Sequence, residues 1–239
     1  MAIVPNVKAL IYDVFGTVVD WRTSIARQAA ELAQVKGVQL DPIAFAEAWR
    51  GRYQPQLETV RSGKRPWTIL DVLHRESLLA LLPEFGLEGK LSEAEIDEFN
   101  RAWHRLDPWP DVVAGLTRLK RKFIIGPQSN GNIALMVNLA KRAGLPWDVI
   151  LGAEVVRNYK PVPQSYTDAA KILALPPEQV MMVAAHNNDL AAAQKQGLST
   201  AFVARPTEKG PSQTTDLKAE GSWTIVARDF GDLADQLGV

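Results

Sequence analysis

The sequence contains no cysteine. That excludes a disulfide framework, a thiol nucleophile and any cysteine-ligated zinc site. It carries no excess charge of either sign, because 27 Lys and Arg stand against 27 Asp and Glu in 239 residues. Such a chain lacks the global attraction on which most nucleic-acid and anionic-membrane binders depend. Histidine is scarce, and neither His74 nor His104 has a partner at metal-ligand spacing. No apolar run reaches the 18 residues of a membrane span, and no basic stretch leading into a sustained apolar one opens the chain. Internal repeats and low-complexity tracts are missing as well. The expectation is a cytoplasmic protein with neither nucleic acid nor membrane as a partner.

What is present is ordinary globular material, 46% hydrophobic and 23% charged, enough to build a core without staples. At about 150 residues per domain the length suggests one large domain or two small ones. Four continuous apolar runs read as buried parallel strands: Ala9–Tyr12, Phe123–Ile125, Val180–Val183 and Thr200–Val203. Trp223–Val226 is a weaker fifth, and Val149–Leu151 another short one. Between the later runs lie helical stripes: Ile133, Met136, Val137 and Ala140; then Tyr166, Ala169, Ala170 and Leu173; then Leu190 and Ala193. Strand alternating with helix predicts a doubly wound α/β sheet, with ligands at the carboxyl ends of its strands. The basic run Arg118–Lys122 falls at an expected helix C-terminus, where cations suit the helix dipole.

From Trp21 to Pro110 the rhythm changes to helices alone. Asp41-Pro42 supplies an N-cap with proline at the first helical position, ahead of Phe45, Trp49 and Tyr53. Thr68 can cap a helix bearing Ile69, Val72 and Leu73. Ser92 to Glu95 has the capping-box pattern. Residues 21–110 are therefore expected as an all-helical cap domain inserted after the first strand. Residues 1–20 and 111–239 would form the α/β core.

Four elements could carry chemistry. Asp13 directly follows the first run in Asp13-Val14-Phe15-Gly16-Thr17, where Gly16 permits a tight turn and an anion-binding nest of N–H groups. Ser129-Asn130-Gly131 follows the second, Tyr159-Lys160-Pro161 lies in a later loop, and Ala184-Ala185-His186-Asn187-Asn188-Asp189 follows the third. Each alone reads equally well as a cap, a turn or a surface charge. Their ordered conjunction does not.

That conjunction resembles the haloacid dehalogenase (HAD) superfamily over essentially the whole chain. The resemblance implies a HAD-like, Rossmannoid core under a helical cap. Superfamily phosphatases carry Asp-x-Asp in the first motif and an acidic magnesium ligand four positions before the last Asp. Here those positions hold Phe15 and Ala185, so the general acid and a hard-cation ligand are both missing. A halide needs no such acid to leave. The sequence is thus most similar to the type II (S)-2-haloacid dehalogenases, which are metal-independent and use no cofactor. The resemblance makes Asp13 the nucleophile, forming an aspartyl ester. It makes Asp189 the activator of the hydrolytic water, Lys160 the cation between the two carboxylates and Thr17 the residue orienting Asp13.

By the same match Ser129 and the N–H groups of Val14 and Phe15 would hold the substrate carboxylate. Arg50 and Asn130 would cradle the halide, with Trp67 near the aromatic halide position and Tyr166 at an active-site tyrosine. Ala184-Ala185-His186 replaces a more usual Ser-Ser-Asn, so His186, helped by Asn187 or Asn188, would stand in for the lost amide. The implied partners are a short haloacid and water, with a homodimer as the assembly common among relatives. Two rivals stay open: a phosphatase with an atypical site, and a non-catalytic small-anion-binding protein.

Overall fold

Continuous burial on both faces is what places β1 (Ala9–Tyr12) at the centre of a six-stranded sheet, since all four of its residues are buried. The computed structural model describes residues 6–239; the first five residues of the expected core segment 1–20 lie outside the described residues. After β1 come β2 (Val19–Asp20) and five helices: α1 (Trp21–Lys36), α2 (Pro42–Gly51), α3 (Tyr53–Arg61), α4 (Leu70–Leu81) and α5 (Glu93–Asn100). Then follow β3 (Asp107–Pro108), α6 (Val112–Leu119), β4 (Ile124–Ser129), α7 (Ile133–Ala143), β5 (Leu151–Gly152), α8 (Ala153–Val156) and α9 (Pro163–Ile172). The chain ends with β6 (Val180–Ala184), α10 (Asn187–Gln194), β7 (Ser199–Val203), β8 (Ile225–Ala227) and α11 (Phe230–Gln236).

The sheet runs β5-β4-β1-β6-β7-β8 with every pairing parallel, a doubly wound α/β fold. In β1, Tyr12 pairs with Pro127 of β4 and Val183 of β6, so Asp13 leaves the sheet between the carboxyl ends of its two neighbours. The five helices α1–α5 leave and rejoin this core through an antiparallel pair, Val19 opposite Pro108 and Asp20 opposite Asp107. Asp20 caps α1 by accepting from Thr23 N–H, and Asp41 caps α2 by accepting from Ile43 and Ala44. Ser92 and Glu95 close the expected capping box on α5.

Several local expectations are corrected. Helix α4 begins at Leu70 with Ile69 as its N-cap and no side-chain cap, because it starts one residue too late for Thr68 to occupy that position. Val72 and Ile133 point outward; the buried stripe of α7 is Leu135, Met136 and Leu139. β4 continues four residues past Ile125, because the apolar signal stops at Gly126-Pro127-Gln128 while the pairing to β1 and β5 does not. The last strand, Ile225–Ala227, starts two residues later and ends one residue later than the run expected for it.

Between helices and sheet sits an aromatic cluster. Phe15 packs edge-on to Trp103 and Tyr53, while Trp49 packs against Phe45, Phe99 and Trp103. Burying a side chain of this size contributes about 1.5–3 kcal/mol each.

Candidate active site

The carboxyl ends of β1, β4 and β6 and the loop after β7 open on one cleft of about 980 Å³, which helices α2 and α3 face from the other side. Asp13 lies at its floor. Lys160 Nζ donates to Asp13 Oδ1 at 2.8 Å and also to Asp189 Oδ2. The Thr17 hydroxyl donates to Asp13 Oδ2 at 2.8 Å and itself accepts the Ala185 N–H. His186 Nδ1 stands 3.1 Å from the same Oδ2. The Tyr166 hydroxyl donates to Asp189 Oδ1 at 2.6 Å.

These contacts decide the protonation states. Burial alone would push the Asp13 carboxyl up, but the Lys160 ammonium and His186 outweigh it and hold it well below the usual carboxylate range. Burial opposes the charge on Lys160 too, yet the two carboxylates raise it above an ordinary lysine. For His186 burial is again the opposing effect, and Glu208 with Asp13 pushes the imidazole up to about 10. It is therefore an imidazolium at neutral pH. The Tyr166 phenol is raised by burial and by Asp189, so it stays a donor.

The anion-binding elements are equally specific. The Val14 and Phe15 N–H groups donate to no backbone carbonyl among the described residues, whereas Gly16 N–H is spent on the Val19 carbonyl at 3.0 Å. The expected nest thus shrinks to two groups. Asn130 Nδ2 donates to the Tyr53 hydroxyl at 3.0 Å and its Oδ1 accepts the Lys160 N–H at 2.8 Å, fixing the amide between α3 and the lysine loop. Arg50 lies 4.2 Å over the Tyr53 ring, with Trp21 and Phe15 also near, and its Nη1 has no partner among the described residues. Ser129 is buried behind Asn130, and its Oγ accepts the Gly131 N–H at 3.0 Å.

The structure thus brings Asp13, Phe15, Arg50, Asn130, Lys160, His186 and Asp189 around one space; Thr17 and Tyr166 reach it through their hydrogen bonds to Asp13 and Asp189, and Val14 and Ser129 are buried next to Asp13 and Asn130 in the chain. It does not bring Trp67 there. That ring stacks 4.8 Å from Tyr159, whose hydroxyl bonds the Thr68 carbonyl, so Trp67 braces the segment before Lys160. Asn187 borders the cleft, but its amide is spent on Asp216, Lys218, Glu220 and Trp223. It pins the loop after β7 instead of facing a ligand.

Two cleft residues were missed by sequence reasoning. Tyr53 was placed only on an apolar helix face, although it lies three residues after Arg50. Glu208 is buried, accepts from Trp21 Nε1 at 2.9 Å and contacts His186 Nε2 at 2.8 Å. Its signal was position: it follows the end of an anticipated strand by five residues, where ligand-side groups belong.

A family model described as haloacid dehalogenase-like hydrolase matches residues 7–197. The (S)-2-haloacid dehalogenase of Xanthobacter autotrophicus is 29% identical over 210 residues, covering 85% of this chain and 77% of that one. The crystal structure of a defluorinating L-2-haloacid dehalogenase superposes with a TM-score of 0.95 at 52% identity, covering 98% of this chain and 96% of that one. That of a further L-2-haloacid dehalogenase gives 0.93 at 48% identity, covering 97% and 98%.

Proposed function

The chain belongs to the haloacid dehalogenase-like hydrolases, and we propose that it hydrolyses short 2-haloalkanoates, haloacetates and (S)-2-halopropionates, to 2-hydroxy acids. The observation that carries this is the Lys160 ammonium bonded to both Asp13 and Asp189, with an aromatic residue, Phe15, where a phosphatase needs its acid. One carboxylate between cations is a poised nucleophile; the other is free to take a proton from water.

The substrate carboxylate docks on the Val14 and Phe15 N–H groups and Ser129. Its C2 then faces Asp13, and the carbon–halogen bond points toward Arg50 and Asn130. Asp13 attacks C2 with inversion, the bond pair leaves with the halide, and an aspartyl ester remains. Water activated by Asp189 attacks the ester carbonyl, releases the 2-hydroxy acid and restores Asp13. Fluoroacetate belongs in this range, since fluoride gains most from donors such as the unpaired Arg50 Nη1. Residues 21–110 act as the cap that excludes bulk water, over a core of 1–20 and 111–239. A cytoplasmic, homodimeric enzyme completes the proposal, and no helix among the described residues is long and apolar enough to cross a membrane.

Incubation with chloroacetate and (S)-2-chloropropionate tests it: chloride is released at the same rate with and without EDTA. No release from any short haloacid overturns the reading. Magnesium-dependent phosphate release from an aryl phosphate would establish the phosphatase instead, and haloacid binding without turnover the non-catalytic protein.

A further inference from the structure

The two oxygens of Asp13 are not equivalent. Oδ1 has one partner among the described residues, Lys160 Nζ. Oδ2 has two, the Thr17 hydroxyl and His186 Nδ1. An oxygen that accepts the Thr17 hydrogen bond and has the His186 nitrogen 3.1 Å away is closed to an incoming carbon on both sides. Oδ1 is therefore the attacking atom, and Oδ2 becomes the carbonyl oxygen of the ester. Resting on the proposed dehalogenation, we propose that Thr17 and His186 form an oxyanion hole for ester hydrolysis, and that Glu208 is the positioning residue that keeps His186 a cation there.

The chemistry balances as follows. Water oxygen bonds to the Asp13 carboxyl carbon, its proton passes to Asp189, and the carbonyl π pair moves onto Oδ2. That oxyanion meets the Thr17 hydroxyl and the imidazolium N–H. On collapse the Oδ2 pair re-forms the carbonyl and the bond from the carboxyl carbon to Oδ1 breaks. Oδ1 leaves with the product, taking the Asp189 proton, and the new Asp13 carboxyl gives its own proton to solvent.

Glu208 has a task that only the ester state reveals. Before attack, Asp13 and Glu208 both support the imidazolium, with Asp216 a more distant anion and the cations Lys160 and Arg50 lining the same cleft. Alkylation removes the Asp13 charge. Glu208 Oε2, 2.8 Å from Nε2 and held by Trp21, is then the one anion among the described residues in contact with the ring. Without it, burial and the two cations drive the ring neutral when a charged donor is needed. The left-handed turn at Gly16 makes room for this carboxylate, since a β-carbon there would stand 2.0 Å from Oε1.

Rapid-quench kinetics with chloroacetate separates the two half-reactions in the wild type, Glu208→Gln and His186→Asn. Chloride release reads alkylation, and the mass of the quenched Asp13 peptide reads the ester. In Glu208→Gln the first equivalent of chloride appears at least as fast as in the wild type, because the nucleophile is less damped. Steady turnover falls about 10²-fold, the loss typical of one oxyanion donor, and ester accumulates. Its alkaline limb moves to lower pH. His186→Asn, which keeps an uncharged donor, falls between, and it carries the test if Glu208→Gln does not fold. A first equivalent slowed as much as turnover, or turnover unchanged, overturns the assignment. A wild type that releases no halide defeats the proposed function instead, so the two failures are distinct.

Discussion

Asp13 must be ionised in a buried site and still be reactive, and its partners divide that task between its two oxygens. The same partners make folding pH-dependent. Asp13 is held below its ordinary value of 3.8, so its contribution is complete above that value and is lost as pH falls through the depressed one. His186 is raised from 6.5 to about 10, so its contribution is complete below 6.5 and is lost as pH rises toward 10. Both are in place between about 4 and 6.5. The urea midpoint is therefore expected to fall steadily from pH 6.5 to 10 in the wild type, and to complete that fall at lower pH in Glu208→Gln. A flat wild-type midpoint across that range contradicts the imidazolium assignment.

At the scale of elements, the turn from β1 to α1 concentrates most of the site. It carries the proposed nucleophile, two N–H groups with no backbone acceptor among the described residues, the Thr17 donor and, at Gly16, the gap that Glu208 enters. Gly16→Ala meets two obstacles, a φ of 91° and the 2.0 Å approach to Glu208 Oε1. The backbone cost is about 1–2 kcal/mol, small against the stability of a whole domain. The larger effect is expected on catalysis: turnover falls about 10²-fold with ester trapped, as when an oxyanion donor is lost. Wild-type turnover in Gly16→Ala would contradict this packing. This turn was legible in the sequence, because an apolar run ending in Asp-x-x-Gly is a local signal. So were the parallel strands and the caps of α2 and α5, whereas the Asp20 cap of α1 emerged only in the structure. Thr68 was misread because the helix begins one residue later than the apolar pattern, which puts Ile69 at the cap position. Trp67 was misplaced because one aromatic residue says nothing about which side of a loop it braces.

Across the whole molecule, the balanced composition acquires a local meaning. Arg50, Lys160 and His186 oppose Asp13, Asp189 and Glu208 around one cleft, whose lining also includes Arg61 and Lys209 with Glu47, Asp216 and Glu220. The helical segment is tied to the sheet beside that cleft. Tyr53 meets Asn130, Arg61 donates to the Lys160 carbonyl at 2.8 Å, and Asn132 donates to Asp71 at 2.9 Å. None of these long-range pairs has a sequence signature, which is why Tyr53 and Glu208 escaped notice while the strand-end residues did not. A strand pattern fixes where a chain emerges from the sheet; which loop folds back over it depends on packing between segments far apart in sequence.

The nucleophilic role of Asp13 is tested most directly by one turnover of (S)-2-chloropropionate in ¹⁸O-water, with enzyme in excess. Attack by Asp13 places the label in the Asp13 carboxyl group and leaves the first 2-hydroxy acid unlabelled. Label in the product of that first turnover would mean that water attacks C2 itself, and would contradict the ester route.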